Sequence, residues 1–388
     1  MISLITITLT SLSIFIGFYV FYFLICLIYI KRSNKYIPDK CLGLNDTDLP
    51  TVSLIIPVYN EIKVIPKKFE NLKNLLYPIK KLEIIFVDGG STDGSANQIE
   101  SLSKQTDLSI ILIRQGSRKG FNNAVIEGFY KTTGEIIFIP GAETEYDPKA
   151  LILCVKHFLD PNVGVVTGRQ IIKNVHDNFT TKLESSYRSL YNFLREAESN
   201  LDSPFLLQGE ISSARRNIVQ RLVENPEFLQ KGNIDSCFTF QARMDKLKTI
   251  YEPQAVYYDL SPSSFRDSWK QQMRRASTLI QNMLIFKKMI LNKNFGLFGL
   301  FIMPSNFLML IILPFIFLFI VLGILTLVFL YPSNYIFFSL IITGLILITI
   351  SKSIQAFIKA QLVLIMANIK LIIGVETQKF ERLESTRM

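Results

Sequence analysis

Thr51-Val-Ser-Leu-Ile-Ile-Pro-Val58 is an uncharged run rich in β-branched residues, followed at once by Tyr59, Asn60 and Glu61. A strand carries apolar residues at consecutive rather than alternate positions when both of its faces are covered, the situation of a parallel sheet lying between helices. The neighbouring sequence repeats the theme. Lys63 to Leu76 has helical spacing, and Leu82 to Val87 (LEIIFV) is a second apolar run, closed by Asp88-Gly-Gly-Ser-Thr-Asp93-Gly. Leu108 to Ile113 and Glu135 to Ile139 read as third and fourth strands, with helical patterns at Asn122 to Tyr130 and Pro148 to Phe158. Strands alternating with helices predict an α/β, Rossmann-like domain with a mostly parallel sheet.

In such sheets ligands bind beyond the carboxyl ends of the strands. The residues at those ends are Pro57, Tyr59 and Glu61 after the first strand, Asp88 after the second, and Gly141-Ala-Glu143-Thr-Glu145 after the fourth, with Arg118 and Lys119 between them in sequence. Acidic groups to accept from a base or ribose, with cations for phosphates, suit a nucleoside diphosphate. Taken alone, the DGGSTDG stretch is also what an ordinary turn leading into a capped helix looks like. Neither the GxGxxG of a dinucleotide fold nor the GxxxxGK[ST] of a P-loop is present.

Outside the domain the chain turns apolar. Of 388 residues 49% are hydrophobic and only 19% charged, and the deficit lies in long uncharged stretches near both ends. This excludes a disordered chain, a nucleic-acid-binding module and a disulfide-stapled secreted domain. Met1 to Ile30 has no charged residue and is long enough to cross a bilayer. Lys31, Arg32 and Lys35 follow, which by the positive-inside rule predicts an N-terminus outside and a cytoplasmic domain. Phe307 to Tyr331 and Tyr335 to Ile350, joined at Pro332-Ser-Asn334, read as a transmembrane hairpin. In Ile354 to Gly374, Lys359 and Lys370 fall with Lys352 within about 20° of one helical line. That stripe favours a helix lying on the inner leaflet, with a further span as the alternative.

The expected organisation is a transmembrane helix over 1–30, a linker over 31–50, the α/β domain over 51–260 and interfacial helices over 261–304. A transmembrane hairpin over 305–350, an interfacial or transmembrane helix over 351–375 and a cytoplasmic tail over 376–388 follow. The net charge of +10 fits anionic lipid head groups and phosphate-bearing substrates. Cys26, Cys41, Cys154 and Cys237 are too scattered for a CxxC site, and with two histidines, His157 and His176, the chain reads as carrying reduced cysteines and no zinc. Trp269, the only tryptophan, sits where a membrane-interface anchor would. The sequons at Asn45 and Asn178 lie in the expected cytoplasmic part and are read as chance.

Four stretches in order, PVYNE (57–61), VDGGSTDGS (87–95), RKGFNNA (118–124) and TGEIIFIPGAET (133–144), resemble the inverting GT-A glycosyltransferases, the family of cellulose, chitin and hyaluronan synthases and dolichol-phosphate mannose synthase. The resemblance extends over about 51–280. It implies a GT-A catalytic domain at a cell membrane that moves a sugar from a nucleoside diphosphate donor, expected to be UDP-linked, to a lipid-linked or growing glycan acceptor. Pro57, Tyr59, Glu61, Asp88 and Lys119 match donor-binding positions. The family's Asp-x-Asp, which holds Mg²⁺ or Mn²⁺, is replaced here by Gly141-Ala-Glu143, leaving Glu143, with Glu145 assisting, as the implied metal ligands. The family's base is the aspartate of a Glu-Asp pair, and Asp235, behind Ile234, matches it. Gln208-Gly-Glu210 matches the glycine stretch on the acceptor side. Gln271 and Arg274 match the synthases' Gln-x-x-Arg-Trp, with Arg275 where tryptophan is expected. The changes at 141, 234 and 275 leave an alternative: a non-catalytic relative that binds nucleotide sugar or scaffolds a partner synthase.

Overall fold

The computed structural model describes residues 2–31, 48–225, 234–331 and 349–374, together with 339 and 342–344. The turn expected at 332–334, most of the second hairpin arm, Cys41, the Asn45 sequon and the basic tail lie outside the described residues. An apolar helix, α1 (Ile2–Lys31), precedes the domain. The domain then alternates β1 (Val52–Val58), α2 (Ile65–Lys73), β2 (Leu82–Asp88), α3 (Ser95–Ser103), β3 (Ser109–Arg114), α4 (Phe121–Phe129) and β4 (Ile136–Phe138). β1 pairs in parallel with β2 on one side and β4 on the other, and β2 pairs in parallel with β3.

The consecutive apolar residues of β1 are explained by two cores. Leu54 and Ile56 pack with Phe69 of α2 and Ile99 of α3 on one face, while Ile55 packs with Val125 and Phe129 of α4 on the other. Side chains of a strand alternate between faces, so two covered faces require an unbroken apolar run.

The second half adds β5 (Glu145–Tyr146), α5 (Ala150–Val155), β6 (Val163–Ile172), α6 (Phe179–Leu201), β7 (Ser213–Arg215), α7 (Arg216–Val223), α8 (Phe238–Met244) and β8 (Lys248–Asp259). They extend the sheet to eight strands in the order β3-β2-β1-β4-β7-β6-β8-β5. β7 is antiparallel to both of its neighbours, and β6 and β8 are parallel to each other. The Asn178 sequon has a local structural use. Asn178 Oδ1 accepts from the Thr181 N–H at 3.1 Å and Thr181 Oγ1 accepts from the Asn178 N–H at 3.2 Å, a reciprocal cap that starts α6.

Helices α9 (Phe265–Ile285), α10 (Phe298–Leu330) and α11 (Lys352–Ile373) complete the described chain. α1, α10 and α11 are long and apolar enough to cross a membrane. α10 starts nine residues before the expected Phe307. Pro304 does not end it, because a π-helical turn at Phe298–Ile302 precedes the proline, and another at Leu308–Ile312 precedes Pro314. A wider turn accommodates the missing proline N–H.

The lysine stripe of α11 does not face outward as a whole. Lys359 is buried, and its Nζ donates to Ser268 Oγ of α9 at 2.7 Å. The stripe that reads as a head-group contact is in part a helix-packing contact. Trp269, expected as an interface anchor, is partly buried against the core of the domain.

The seam between these helices and the domain is polar and buried. The carboxylate of Glu198 on α6 accepts from Tyr22 of α1, from Asn306 Nδ2 of α10 at 3.1 Å and from the Phe205 N–H at 2.7 Å. Removing one partner of such a set leaves buried donors unsatisfied, at about 1–3 kcal/mol each. Glu198→Ala is expected to destabilise the fold by more than about 2 kcal/mol. Tyr22→Phe, which removes one hydroxyl, is expected to cost about 1 kcal/mol. Thermal unfolding of the detergent-solubilised protein checks the order; equal melting points for the two variants would contradict it.

Candidate functional site

Loops at the carboxyl ends of β1 and β2 are laced together before any ligand is considered. The Asn60 N–H donates to Ser91 Oγ at 2.8 Å, the Glu61 N–H to Ser95 Oγ at 2.9 Å and the Ile62 N–H to Asp93 Oδ2 at 3.1 Å. Asn60 Oδ1 accepts in return from the Thr92 N–H at 2.8 Å, with Asn60 itself held at φ 55°. The DGGSTDG stretch is therefore a turn leading into α3, and at the same time it is the brace that presents Tyr59 and Glu61. Asp88 is 3% exposed at the end of β2; its Oδ2 accepts from the Ser91 N–H at 3.1 Å, while its Oδ1 has no hydrogen-bond partner.

These loops form one wall of a cavity. It is lined by Pro57, Tyr59, Glu61, Gly89, Gln115, Arg118, Phe121, Glu143 and Glu210, among others. The Arg118 guanidinium lies over the Tyr59 ring, 4.2 Å from its centroid. Lys119, the expected basic residue, is exposed and pairs with Glu127 at 2.9 Å, so the neighbouring arginine is the one on the cavity.

The opposite wall is acidic. A side chain at Gly141 would begin in contact with two carboxylates, since an added Cβ would lie 2.6 Å from Glu143 Oε2 and 2.8 Å from Glu210 Oε2. The Gly141 N–H donates to Glu210 Oε2 at 2.6 Å. Asp235 does not line this cavity; it lies against Gly209, whose added Cβ would reach its Oδ2 at 2.1 Å, and it acts electrostatically on Glu210.

Glu145 does not line the first cavity, but it lines an adjoining one that Glu143 also lines. It is held by Lys67 at 2.8 Å and Lys173 at 2.5 Å. Burial alone would raise its pKa, but the two lysines lower it. Gln271 is half-buried on α9 and does not line the first cavity. Arg274, on the same helix, acts electrostatically on Asp235.

Beneath the acidic loop sits Lys68, 2% exposed, its Nζ donating to the carbonyls of Gly141 and Thr144 at 2.9 Å each. Burial lowers this ammonium to about 8, although Glu210, Glu143, Glu145 and Asp259 surround it and oppose the shift. Enclosure pushes the Glu210 carboxyl up to about 8, with Glu143 and Asp259 adding to the effect. Enclosure also raises Asp235, against hydrogen bonds at Ser236 and the charge of Arg274.

Among the described residues no three His, Cys, Asp or Glu side chains form a ready-made metal cage. Two carboxylates converging beside Gly141 nevertheless fit a hard divalent cation, which takes one or two protein carboxylates and fills its shell with phosphate and water.

The sequence offered a signal for Lys68 that is easily overlooked. It stands within the apolar stripe Ile65, Phe69, Leu72 of α2, where a charged residue needs a buried partner. Glu210 has no local signal of its position against Glu143.

The model of Glycosyl transferase family 2 matches residues 53–223. Poly-beta-1,6-N-acetyl-D-glucosamine synthase of Staphylococcus aureus (strain COL) is 24% identical over 250 residues, covering 64% of this chain and 59% of that protein. Beta-monoglucosyldiacylglycerol synthase of Nostoc sp. is 28% identical over 254 residues, covering 64% of this chain and 53% of that protein. The chain thus spans between half and three fifths of the length of these curated relatives. Among solved structures, the mannosyltransferase PcManGT from Pyrobaculum calidifontis in complex with GDP-Man and Mn²⁺ superposes with a TM-score of 0.81 at 24% identity, over 96% of this chain and 100% of that one. The braced loops, the mostly parallel sheet and the matched residues agree: residues 53–223 match a glycosyl transferase family 2 domain, and the fold is of the GT-A kind.

Proposed function

We propose that this protein is a membrane-bound inverting glycosyltransferase that moves a sugar from a UDP-linked donor to a lipid-linked or short growing glycan, with its catalytic domain in the cytoplasm. The observation that carries the reading is the meeting of three features at one sheet edge. These are the Tyr59–Glu61 wall and the Glu143–Glu210 carboxylates of one cavity and, outside its lining but next to Gly209, the enclosed Asp235. The curated relatives, named as a polysaccharide and a glycolipid synthase, and the three apolar helices support the same reading.

In this reading the base and ribose of the donor sit against Tyr59, Glu61 and Asp88. The unpartnered Oδ1 of Asp88 is an acceptor waiting for a donor group on the nucleotide. The diphosphate lies toward Glu143, with Arg118 on the cavity and Arg274 beyond it supplying positive charge; Gln271, which does not line the cavity, has no part in this pose. A divalent cation, Mg²⁺ or Mn²⁺, held at Glu143 would neutralise the charge of the leaving diphosphate.

The acceptor hydroxyl attacks the anomeric carbon from the face opposite the diphosphate. The new C–O bond forms as the bond to the diphosphate breaks, and Asp235 takes the hydroxyl proton. An enclosed aspartate with a raised pKa is a stronger base than an exposed one, which suits that task.

Two outcomes follow. With purified protein and UDP- or GDP-sugars, nucleoside diphosphate release by Asp235→Asn is expected to fall by about 10²–10⁴-fold, while nucleotide binding persists; wild-type rates would remove Asp235 as the base. The raised pKa also fixes a sign. The base works deprotonated, so activity is lost as pH falls through the raised value, and the acid limb of kcat/KM lies above the ordinary aspartate value of about 3.9. A limb at or below that value would show that Asp235 is not enclosed in the working enzyme.

A further inference from the structure

The first aspartate of the family's metal motif is missing, and position 141 is glycine. The space into which a side chain at 141 would project is filled. An added Cβ would meet Glu143 Oε2 at 2.6 Å and Glu210 Oε2 at 2.8 Å, both inside normal contact. Glu210 comes from a different segment of the chain, yet both ends of the residue are tied to the Glu143 loop. Its carboxylate accepts from the Gly141 N–H at 2.6 Å, and its carbonyl accepts from the Tyr146 hydroxyl. Glu143 and Glu210 line the same cavity as Tyr59 and Glu61. An independent feature points to a ligand here. Asp88, 3% exposed beside the cavity-lining Gly89, keeps an Oδ1 without a partner.

We propose that Glu210 supplies the second carboxylate of a divalent-cation subsite, paired with Glu143, in place of the acid missing at 141. The inference rests on the transferase reading and goes beyond it, because the ligand is provided from another part of the sheet. Two carboxylates suffice: Mg²⁺ and Mn²⁺ take one or two from the protein and complete their octahedron with diphosphate oxygens and water. An aspartate at 141 would have to displace the tips of both glutamate side chains and would add a third carboxylate beside them.

The test reads binding, not turnover. Mn²⁺ is titrated into the full-length, detergent-solubilised protein with and without UDP or GDP, and free Mn²⁺ is followed by electron paramagnetic resonance. Nucleotide-dependent Mn²⁺ binding is expected in the wild type, weakened about tenfold or more in Glu210→Gln and in Glu143→Gln alike. Gly141→Asp alone is expected to bind poorly, whereas Gly141→Asp combined with Glu210→Ala restores binding, because the carboxylate has moved back and its competitor is gone. Restoration separates a ligand role from a structural one, which the double variant would not repair. Glu210→Gln binding Mn²⁺ within about twofold of wild type, while Glu143→Gln loses it, would overturn the proposal. Wild-type protein that binds no Mn²⁺ with either nucleotide would overturn it too. If that protein still released nucleoside diphosphate from a sugar donor, the transferase reading would stand without the cation subsite.

Discussion

Crowding of like charge at one sheet edge is the constraint around which the site is built. Glu143, Glu210 and Asp235 lie close together; burial opposes ionisation of Glu210 and of Asp235, and at Glu210 the charges of Glu143 and Asp259 add to it. The protein answers from below with Lys68, which two backbone carbonyls hold in place under the loop. It answers from the side by pairing Glu145 with Lys67 and Lys173, which offsets the charge of that carboxylate. What remains is an acidic pair whose repulsion is only partly relieved. Such a pair favours uptake of a proton or a cation.

The same device, a buried carboxylate with several donors, recurs where the domain meets the apolar helices. Glu198 gathers α1, α10 and the Phe205 N–H. Glu184 accepts from Arg188 Nε at 3.1 Å within α6 and from Gln272 Nε2 of α9 at 2.6 Å. Phe205 leads directly to Gln208–Glu210, so the segment that carries Glu210 hangs from the helix seam rather than from the sheet alone. Buried polar contacts of this kind contribute modest net stability but fix one register, because every alternative leaves charges unpaired. The orientation of the site relative to the apolar helices is specified by these few side chains.

The parts legible in the sequence were those with a local period. The β-branched runs of β1 and β2, the helical spacing of α2 and α4, and the order of the four motifs located the sheet and the cavity wall because each signal spans a handful of adjacent residues. The far half of the sheet was less legible. β6 and β8 pair across a long separation, and nothing in Val163–Ile172 names Lys248–Asp259 as its neighbour. Lys359 shows how a correct pattern can carry the wrong surroundings: its spacing marks a polar stripe, but whether that stripe meets lipid head groups or Ser268 is decided by tertiary packing. Arg118 and Lys119 are likewise adjacent and equally basic, and only the backbone after β3 puts one over Tyr59 and the other toward Glu127.

Arg275 stands where the resemblance to the synthases implies tryptophan. A tryptophan at this place would offer an aromatic face on which a sugar ring stacks. The arginine instead directs its Nη1 toward Glu184 Oε1 at 3.6 Å, joining the contacts between α9 and α6. The position is committed to holding two helices together, and Gln272 beside it is committed to the same carboxylate. Trp269, six residues earlier, packs against the core with its ring 6.1 Å from Phe265. The side chain at 275 thus belongs to the packing of α9 on α6, and the aromatic side chain of the same helix, Trp269, belongs to the core, so neither offers an open aromatic face.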